Sequence, residues 1–182
     1  MSSLLFSTLL GFSTMGQKSQ EPVVEHRFNF RMGASSATTN GHPTLCLEGS
    51  FSNRWSVESC GTGYGFVHQD PGIDFVHVRG KLNLFNQAVG GSQIRGSIGA
   101  GFAEVQTAGD ELGFQFSSAK NGVETSGPEM SGSAKWLVPV GERSEIVLDA
   151  NAGAAYFQYG PALTLPQPKL FPFVEISAGF GW

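Results

Sequence analysis

Two cysteines are the most reactive side chains in the chain, and their spacing suits a covalent link. Cys46 and Cys60 lie in two segments of alternating hydrophobicity that are joined by a short turn near Ser52. An antiparallel pairing with a three-residue turn sets the two thiols opposite each other, both on the polar parity. In an oxidising compartment this placement allows either a cross-strand disulfide or two unpaired thiols. Metal binding is disfavoured because neither a CxxC motif nor a histidine cluster accompanies them.

The four histidines are scattered along the chain, and none has the spacing of a metal ligand. His26 lies near a strand start, His42 and His68 lie in loops, and His77 lies on a charged strand face. The sequence contains no GxSxG, P-loop or HExxH motif. The glycine runs GSIGAGF and SAGFGW lie within strands and open no helix, so they do not indicate a nucleotide site. We therefore predict that the protein is not an enzyme, and we expect no catalytic residue, no cofactor and no metal site.

Charged side chains recur at alternate positions of several segments, opposite an apolar face. Val76 and Val78, for example, alternate with His77 and Arg79. The charged face carries both signs in similar number, so a confined interior could neutralise itself in a hydrogen-bonded network. We predict a lumen charge network made of Arg27, Arg31, Glu48, Glu58, Arg79, Lys81, Arg95, Lys135, Glu145, Asp149 and Glu175. The turn that aligns the cysteines also sets Glu48 opposite Glu58, a pair that repels unless Arg27, Arg79 or a proton intervenes, and this predicts an arginine nearby.

The elements that must position these residues are strands. Period-two alternation bounded by turn residues predicts eight of them, at residues 23–34, 43–51, 54–66, 74–86, 92–106, 129–140, 144–158 and 171–182. Most are near ten residues long, the length that a tilted strand needs to cross a bilayer. No later window offers the roughly 20 apolar residues of a membrane helix. In the third segment Tyr64 and Phe66 fall on the polar parity, and a glycine bulge would return them to the apolar face.

The connections between the predicted strands alternate in length. The short ones are residues 52–53, 86–91 and 141–143, and the long ones are residues 35–42, 67–73, 107–128 and 160–170. Short turns at one end and long loops at the other form the plan of an outer-membrane barrel. The expected fold is therefore all-β: a closed, up-and-down antiparallel transmembrane β-barrel of about eight strands, with the charged face lining the lumen.

The last predicted strand carries the most specific motif. FPFVEISAGFGW alternates apolar with small or polar residues and stops on an aromatic side chain. Here the chain resembles the small eight-stranded bacterial outer-membrane β-barrel family, whose members end in such a strand with a terminal Phe or Trp. The resemblance implies a Gram-negative outer-membrane location, contact with membrane lipid, and insertion by the barrel assembly machinery through Phe180 and Trp182. An aromatic girdle at the lipid headgroups is expected from Trp55, Trp136, Trp182 and Tyr156.

Composition and length agree with a single envelope domain. Only 14% of the residues are charged, while 25 are glycine and 12% are aromatic. The formal net charge of -4 comes without a basic stretch, which excludes nucleic acid as a main partner. We expect one β-barrel domain at residues 21–182, preceded at residues 1–20 by a signal peptide or an N-terminal tail. That segment has an apolar run from Leu4 to Phe12 but lacks a basic residue before it.

The sequence favours a structural or interaction role in the outer membrane, with a packed, charged lumen and surface loops that meet an unidentified extracellular partner. A wide, porin-like channel is disfavoured because eight strands leave little more than a filled interior. Two alternatives stay open. A secreted soluble β-barrel would turn the apolar parity inward around an apolar ligand. A lipid-modifying barrel enzyme would need an acid, a base and a nucleophile in contact on its lipid face, and no His-x-Ser lies on any lipid-facing segment.

Overall fold

The computed structural model describes residues 27–39, 42–62, 72–107, 114–116 and 122–182. Eight antiparallel strands pair in chain order, and the last returns to the first to close a barrel. The strands are β1 (Phe28–Ser35), β2 (Thr44–Ser50), β3 (Trp55–Gly61), β4 (Asp74–Val89), β5 (Ser92–Gln106), β6 (Glu124–Pro139), β7 (Glu145–Tyr156) and β8 (Leu170–Gly181). The predicted fold class, a closed up-and-down barrel of eight strands, is confirmed.

The strands are staggered, so the register of paired residues does not return to its starting residue after one turn around the barrel. The paired register runs once around the wall through Gln93, Leu137, Val147, Gly179, Arg31, Cys46, Cys60, His77 and Ala103. It therefore leaves β5 at Gln93 and returns to β5 at Ala103, a shear of ten residues. Such a stagger tilts the strands against the barrel axis. At the seam, the backbones of Phe28 and Trp182 exchange hydrogen bonds of 3.2 and 2.9 Å, so both ends of the barrel sequence meet at one rim.

Most strand bounds lie close to those predicted, and the largest difference that falls wholly within the described residues is at β6. It begins at Glu124, five residues before the expected start, because Glu124 pairs with Gln106 and extends the β5 ladder. The sequence from Glu124 to Pro128 was predicted as loop because it contains Ser, Gly and Pro. β1 begins at Phe28, while residues 23–26, the segment 1–20 and the bulge expected near Tyr64 and Phe66 lie outside the described residues.

The short connections lie at one end of the barrel and the long connections lie at the other. Residues 51–54, 90–91 and 140–144 form the short turns, and residues 36–43, 62–73, 107–123 and 157–169 form the long loops. The shortest turn is Gly90-Gly91, and both glycines have positive φ, 57° and 84°, as a tight two-residue hairpin requires. The 157–169 loop contains one 3-10 turn, Gly160–Ala162. In the described part of the chain, no helix combines the length and the apolar character needed to span a bilayer.

The two faces of the wall are chemically opposite, and the apolar face is outside. Large apolar side chains such as Ile176, Leu47 and Phe180 are 66, 60 and 60% exposed, whereas Arg31, Arg79 and Lys81 are almost completely buried inside. Exposed aromatic residues lie near the rims: Trp55, Trp136 and Trp182 at the turn end and Tyr156 at the loop end. A water-soluble barrel would bury its apolar parity, so the soluble alternative does not describe this fold. Lipid is the solvent that this outer surface matches.

A bulge in β4 adjusts the outer surface near the turn end. The register with β5 shifts between Asn83 and Phe85, which turns the Phe85 ring to the outer face over Gly96. A β-carbon built on Gly96 would lie only 2.1 Å from that ring, so a side chain at position 96 would have to displace the Phe85 ring. The aromatic ring thus covers a backbone position that has no side chain of its own.

A closed ladder predicts a folded state that resists detergent, because every strand in it has two hydrogen-bonded neighbours. We expect the protein to require detergent for extraction and to migrate differently in gel electrophoresis before and after boiling. Samples refolded after boiling should regain the unboiled mobility. A protein that is soluble without detergent and shows one mobility under both conditions would contradict the transmembrane barrel.

Candidate functional site

The centre of the lumen is organised around Glu58, a fully buried carboxylate on β3. Arg79 Nε donates to Glu58 Oε1 at 2.7 Å, and Lys81 Nζ donates to Glu58 Oε2 at 3.1 Å. The guanidinium of Arg31 also donates to Glu58 from β1. β4 supplies Arg79 and Lys81 at neighbouring inward positions because side chains two residues apart share one face of a strand. Three cations from two strands therefore converge on one carboxylate.

Two further carboxylates, Glu48 and Asp149, extend this network across the lumen. Glu48 accepts hydrogen bonds from Ser56 Oγ at 2.8 Å, from Arg31 Nη2 at 3.2 Å, and from Lys135. Asp149 lies 2.7 Å from Arg31 Nη1. Glu48 and Glu58 are direct cross-strand partners, and Arg31 contacts both of them, which is the nearby arginine that their repulsion predicts. The structure thus brings together Arg31, Glu48, Glu58, Arg79, Lys81, Lys135 and Asp149.

Three predicted members of the network lie away from this centre. Arg27 precedes β1 at the turn end and is exposed, so its assignment to the lumen network was wrong: the strand begins one residue later, at the rim. Arg95 and Glu145 do lie on the inward parity, but near the turn-end mouth of the lumen. Arg95 is half-buried there and Glu145 is buried.

Glu175 joins the network from the opposite side, together with two residues that the prediction left out. It accepts a hydrogen bond from Asn151 Nδ2 at 3.0 Å and lies 3.5 Å from Arg79 Nη2. His77 lies between Glu175 and Glu129, and both His77 and Glu129 are buried. The parity of β6 places Glu129 inside, but its charged neighbours His77 and Arg79 come from β4, which is not adjacent to β6 in the sheet. Sequence alternation gives the face of a residue and its sheet neighbours, and it does not give contacts across the barrel.

Cys46 and Cys60 form a disulfide between β2 and β3. They are direct partners in the register, as are Glu48 and Glu58 two residues further along. Both cysteines are buried on the lumen side. The disulfide therefore ties the two strands that carry Glu48 and Glu58.

The loop end of the lumen is closed by apolar side chains, which we call the aromatic plug: Phe75, Phe157, Phe171, Phe173 and Leu163. All five are buried and belong to one cluster. The Phe75 ring lies 4.9 Å from that of Phe173 and 5.8 Å from that of Phe171, between centroids. The inward face is therefore apolar near the loops and charged in the middle of the barrel.

The described parts of the four long loops are joined in pairs above this plug. Thr39 N donates to Ile73 O at 3.0 Å, and Ile73 N donates back to Thr39 Oγ1 at 2.7 Å, which links the β1–β2 and β3–β4 loops. Thr164 N and its hydroxyl both donate to Gly122 O, which links the β7–β8 and β5–β6 loops. Leu163, next to Thr164, anchors the β7–β8 loop in the aromatic plug. The described parts of the loops are thus held together by their own contacts.

The lumen offers two groups of metal-type ligands, and neither suits a metal ion. Glu58, Cys60 and His77 have ligand atoms within 4.8 Å of one another, but the Cys60 sulfur is bound to Cys46 and supplies no thiolate. Glu48, Glu58 and Asp149 form the other group, and the cationic ends of Arg31 and Lys81 already contact its carboxylates. Among the described residues we therefore assign no metal or cofactor site.

An apolar outer belt, a charged and filled lumen, and turns and loops sorted to opposite ends define the class of this protein: it is an eight-stranded β-barrel of the bacterial outer membrane. Its fold is similar to that of Ail, the attachment invasion locus protein of Yersinia pestis. The crystal structure of Ail has 13% sequence identity to this chain and a TM-score of 0.38, covering 86% of this chain and 97% of that one.

Two other Ail structures show the same degree of similarity. The crystal structure in complex with the heparin analogue sucrose octasulfate has 13% identity and a TM-score of 0.40, covering 86% of this chain and 97% of that one. The backbone structure in a phospholipid bilayer nanodisc has 14% identity and a TM-score of 0.41, covering 87% of this chain and 100% of that one. No protein-family model matches the chain, and no curated protein matches it either.

The ion pairs around Glu58 predict a large effect of removing one cation. Replacing Arg79 with Met deletes the Nε and Nη2 donors to Glu58 and leaves that carboxylate buried with less compensation. Breaking a buried pair in this way typically costs about 3–5 kcal/mol. We expect a clearly lower melting temperature for Arg79→Met in thermal unfolding followed by circular dichroism. Arg143→Met, in the exposed β6–β7 turn, is the matched control and should leave it unchanged. Equal melting temperatures for the two variants would contradict a stabilising network.

Proposed function

We propose that this protein is an interaction protein of the outer membrane, in which the barrel is a rigid anchor and the loop end is the binding surface. The ordering of that surface is the observation that carries the proposal. The loops bond to each other in pairs, and Leu163 fixes one of them to the plug. A surface that is ordered before it meets a partner loses less conformational entropy on binding. Such ordering has a cost for the chain, and it has no use in a loop that only connects two strands.

The exposed residues of the β7–β8 loop give this surface a chemical character. Leu165 is 46% exposed, and Pro166, Pro168 and Lys169 beside it are exposed as well. An apolar side chain next to a cation and two rigid prolines can contact an extended ligand without large rearrangement. We infer that this segment contributes directly to binding.

The interior supports an anchor rather than a channel. Buried charged side chains fill the middle of the lumen, and the aromatic plug fills its loop end. A solute that crossed the barrel would have to separate ion pairs that bridge opposite walls, such as Lys135 on β6 with Glu48 on β2 and Arg79 on β4 with Glu175 on β8. The charges in this lumen therefore serve to fill and rigidify the barrel.

We also propose that the protein has no catalytic activity. Of the two histidines that the structure describes, His77 is buried in the lumen and His42 lies in a loop. A lipid-modifying site would need its base and nucleophile on the outer wall. On the described outer wall, the side chains of the belt are mostly apolar or small.

Insertion by the barrel assembly machinery forms part of the same proposal. Phe180 and Trp182 are 60 and 57% exposed on the outer side of β8 at the turn end. A partner that recognises the last strand could reach both rings before β1 and β8 close the seam. The aromatic side chains would then contact lipid in the finished barrel.

Single-channel recording tests whether the lumen is filled, as an anchor requires, or conducts ions. Reconstituted into planar bilayers, the protein should show no unitary conductance steps, because no continuous aqueous path passes the plug and the ion pairs. A general porin in the same bilayers provides the positive control. Reproducible single-channel steps from the purified barrel would contradict the filled lumen and would make transport the leading function.

Binding measurements test the loop surface. In nanodiscs, the protein should bind at least one member of a panel of extracellular matrix proteins and glycans, and the double variant Leu165→Ser, Lys169→Ser should weaken that binding at least tenfold. Val140→Ser with Arg143→Ser changes one exposed apolar and one exposed basic residue at the turn end and serves as the control. Binding no stronger than to empty nanodiscs, or equal loss in both variants, would refute the assignment.

A further inference from the structure

His77 lies between two glutamates directly below the aromatic plug. Its Nδ1 is 3.5 Å from Glu129 Oε2, and its Nε2 is 3.8 Å from Glu175 Oε2. The side chains of His77 and Glu129 are completely buried, and that of Glu175 is 6% exposed. The three groups come from β4, β6 and β8, and each ring nitrogen faces a different carboxyl group.

This geometry sets the number of protons in the cluster. A neutral imidazole has one N–H, and its second nitrogen carries a lone pair. Between two carboxylates, that lone pair would face a negative oxygen in a buried site, which is repulsive. Both contacts become attractive only when a second proton is present, either on the ring or on one carboxyl group. Neither ring nitrogen of His77 and neither oxygen of Glu129 has a hydrogen-bond partner among the described residues, so no hydrogen bond from a third group to His77 or Glu129 relieves the repulsion.

The balance of charge in the lumen also indicates one additional proton in this cluster. The ion-paired network contains four basic side chains that are paired with carboxylates, Arg31, Arg79, Lys81 and Lys135, and five carboxyl groups, Glu48, Glu58, Glu129, Asp149 and Glu175. Arg95 and Glu145, nearer the turn end, add one charge of each sign and leave the difference unchanged. One additional proton makes the buried network neutral, and burial strongly favours neutrality.

The cations near His77 lie closer to some carboxyl groups of the lumen than to others. Arg79, on its own strand, lies 3.7 Å from Glu129 and 3.5 Å from Glu175, but its closest bonds go to Glu58 on β3. Deeper in the lumen, Lys81, Arg31 on β1, Lys135 on β6 and Asp149 on β7 are engaged with one another and with Glu48 and Glu58. Of the cations in the network, only the Arg79 guanidinium thus lies near Glu129 and Glu175.

Aromatic rings from the plug complete the surroundings. The centroids of Phe75 and Phe173 lie 5.5 and 5.9 Å from that of the His77 ring. The loop-end side of the cluster is therefore covered by apolar aromatic rings.

We propose that His77, Glu129 and Glu175 form a buried proton-binding site, which holds one proton more than a neutral histidine with two carboxylates. The bound proton joins β4, β6 and β8 below the plug and completes the charge balance of the lumen. Above about pH 7 the same groups in an unfolded chain bind no such proton. The folded barrel then binds more protons than the unfolded chain, so its stability falls as the pH rises. This inference does not depend on the proposed loop function.

Glu129→Gln tests the site because it removes the carboxyl group that requires the additional proton. The melting temperature of the wild-type protein in detergent should decrease between about pH 7 and about pH 9, by up to roughly 10 °C if the folded state holds one full additional proton. In Glu129→Gln, neutral His77 can donate to Glu175 and accept from the new amide, so the decrease should be much smaller. Glu142→Gln, in the exposed β6–β7 turn, should keep the wild-type decrease. The same pH slope in all three proteins would overturn the proposal.

Nuclear magnetic resonance of the wild-type barrel provides a test that needs no folded Glu129→Gln protein. Histidine labelled with ¹⁵N reports the protonation of each ring nitrogen, and His77→Gln identifies the signal by its loss. Carboxyl ¹³C shifts report Glu129 and Glu175. Near neutral pH we expect either a doubly protonated His77 ring or one protonated carboxyl group. A neutral His77 ring beside two ionised carboxylates would refute the site.

Discussion

The bonds from Arg31, Arg79 and Lys81 to Glu58 are the interaction on which the rest of the structure depends. An interior of charged side chains is stable only if each charge meets a partner, since an isolated buried charge is very costly. Because opposite charges from β1, β2, β3, β4, β6 and β7 neutralise one another, the barrel can turn its polar parity inward. The apolar parity is then left outside, where only a lipid bilayer accommodates it. The location of the protein thus follows from the pairing of charges inside it.

Much of this arrangement could be predicted from the sequence because it is local. Period-two alternation assigns each residue to a face, and a short turn fixes the register of two strands. These two facts give the pairings of Cys46 with Cys60 and of Glu48 with Glu58, and they indicate that an arginine must lie near the glutamates. The lengths of the connections then give the sorting of turns and loops, and with it the orientation of the barrel.

The features that could not be predicted depend on contacts across the lumen or on the exact end of a strand. Phe171 and Phe173 lie on the same parity as Glu175, in a stretch where both faces are apolar, so alternation does not show that they close the barrel. Glu129 has the correct parity, but its partners His77 and Arg79 come from β4, which a register between neighbouring strands does not reach. The prediction for Arg27 was wrong for a different reason: its parity suggests the lumen, but β1 begins only after it. Cross-lumen contacts depend on the stagger of all eight strands together, and no single segment encodes it.

The aromatic plug closes the loop end of the lumen, whereas the turn-end mouth is lined by polar residues such as Gln93, half-buried Arg95 and Glu145. The inward face is consequently apolar at the loop end and polar at the turn end. Small ions and water are opposed by apolar rings at the loop end and meet polar side chains at the turn end, which faces the periplasm in the outer-membrane plan. The inside of this barrel would equilibrate with the compartment in which it was folded, even while its loops meet a medium of quite different composition.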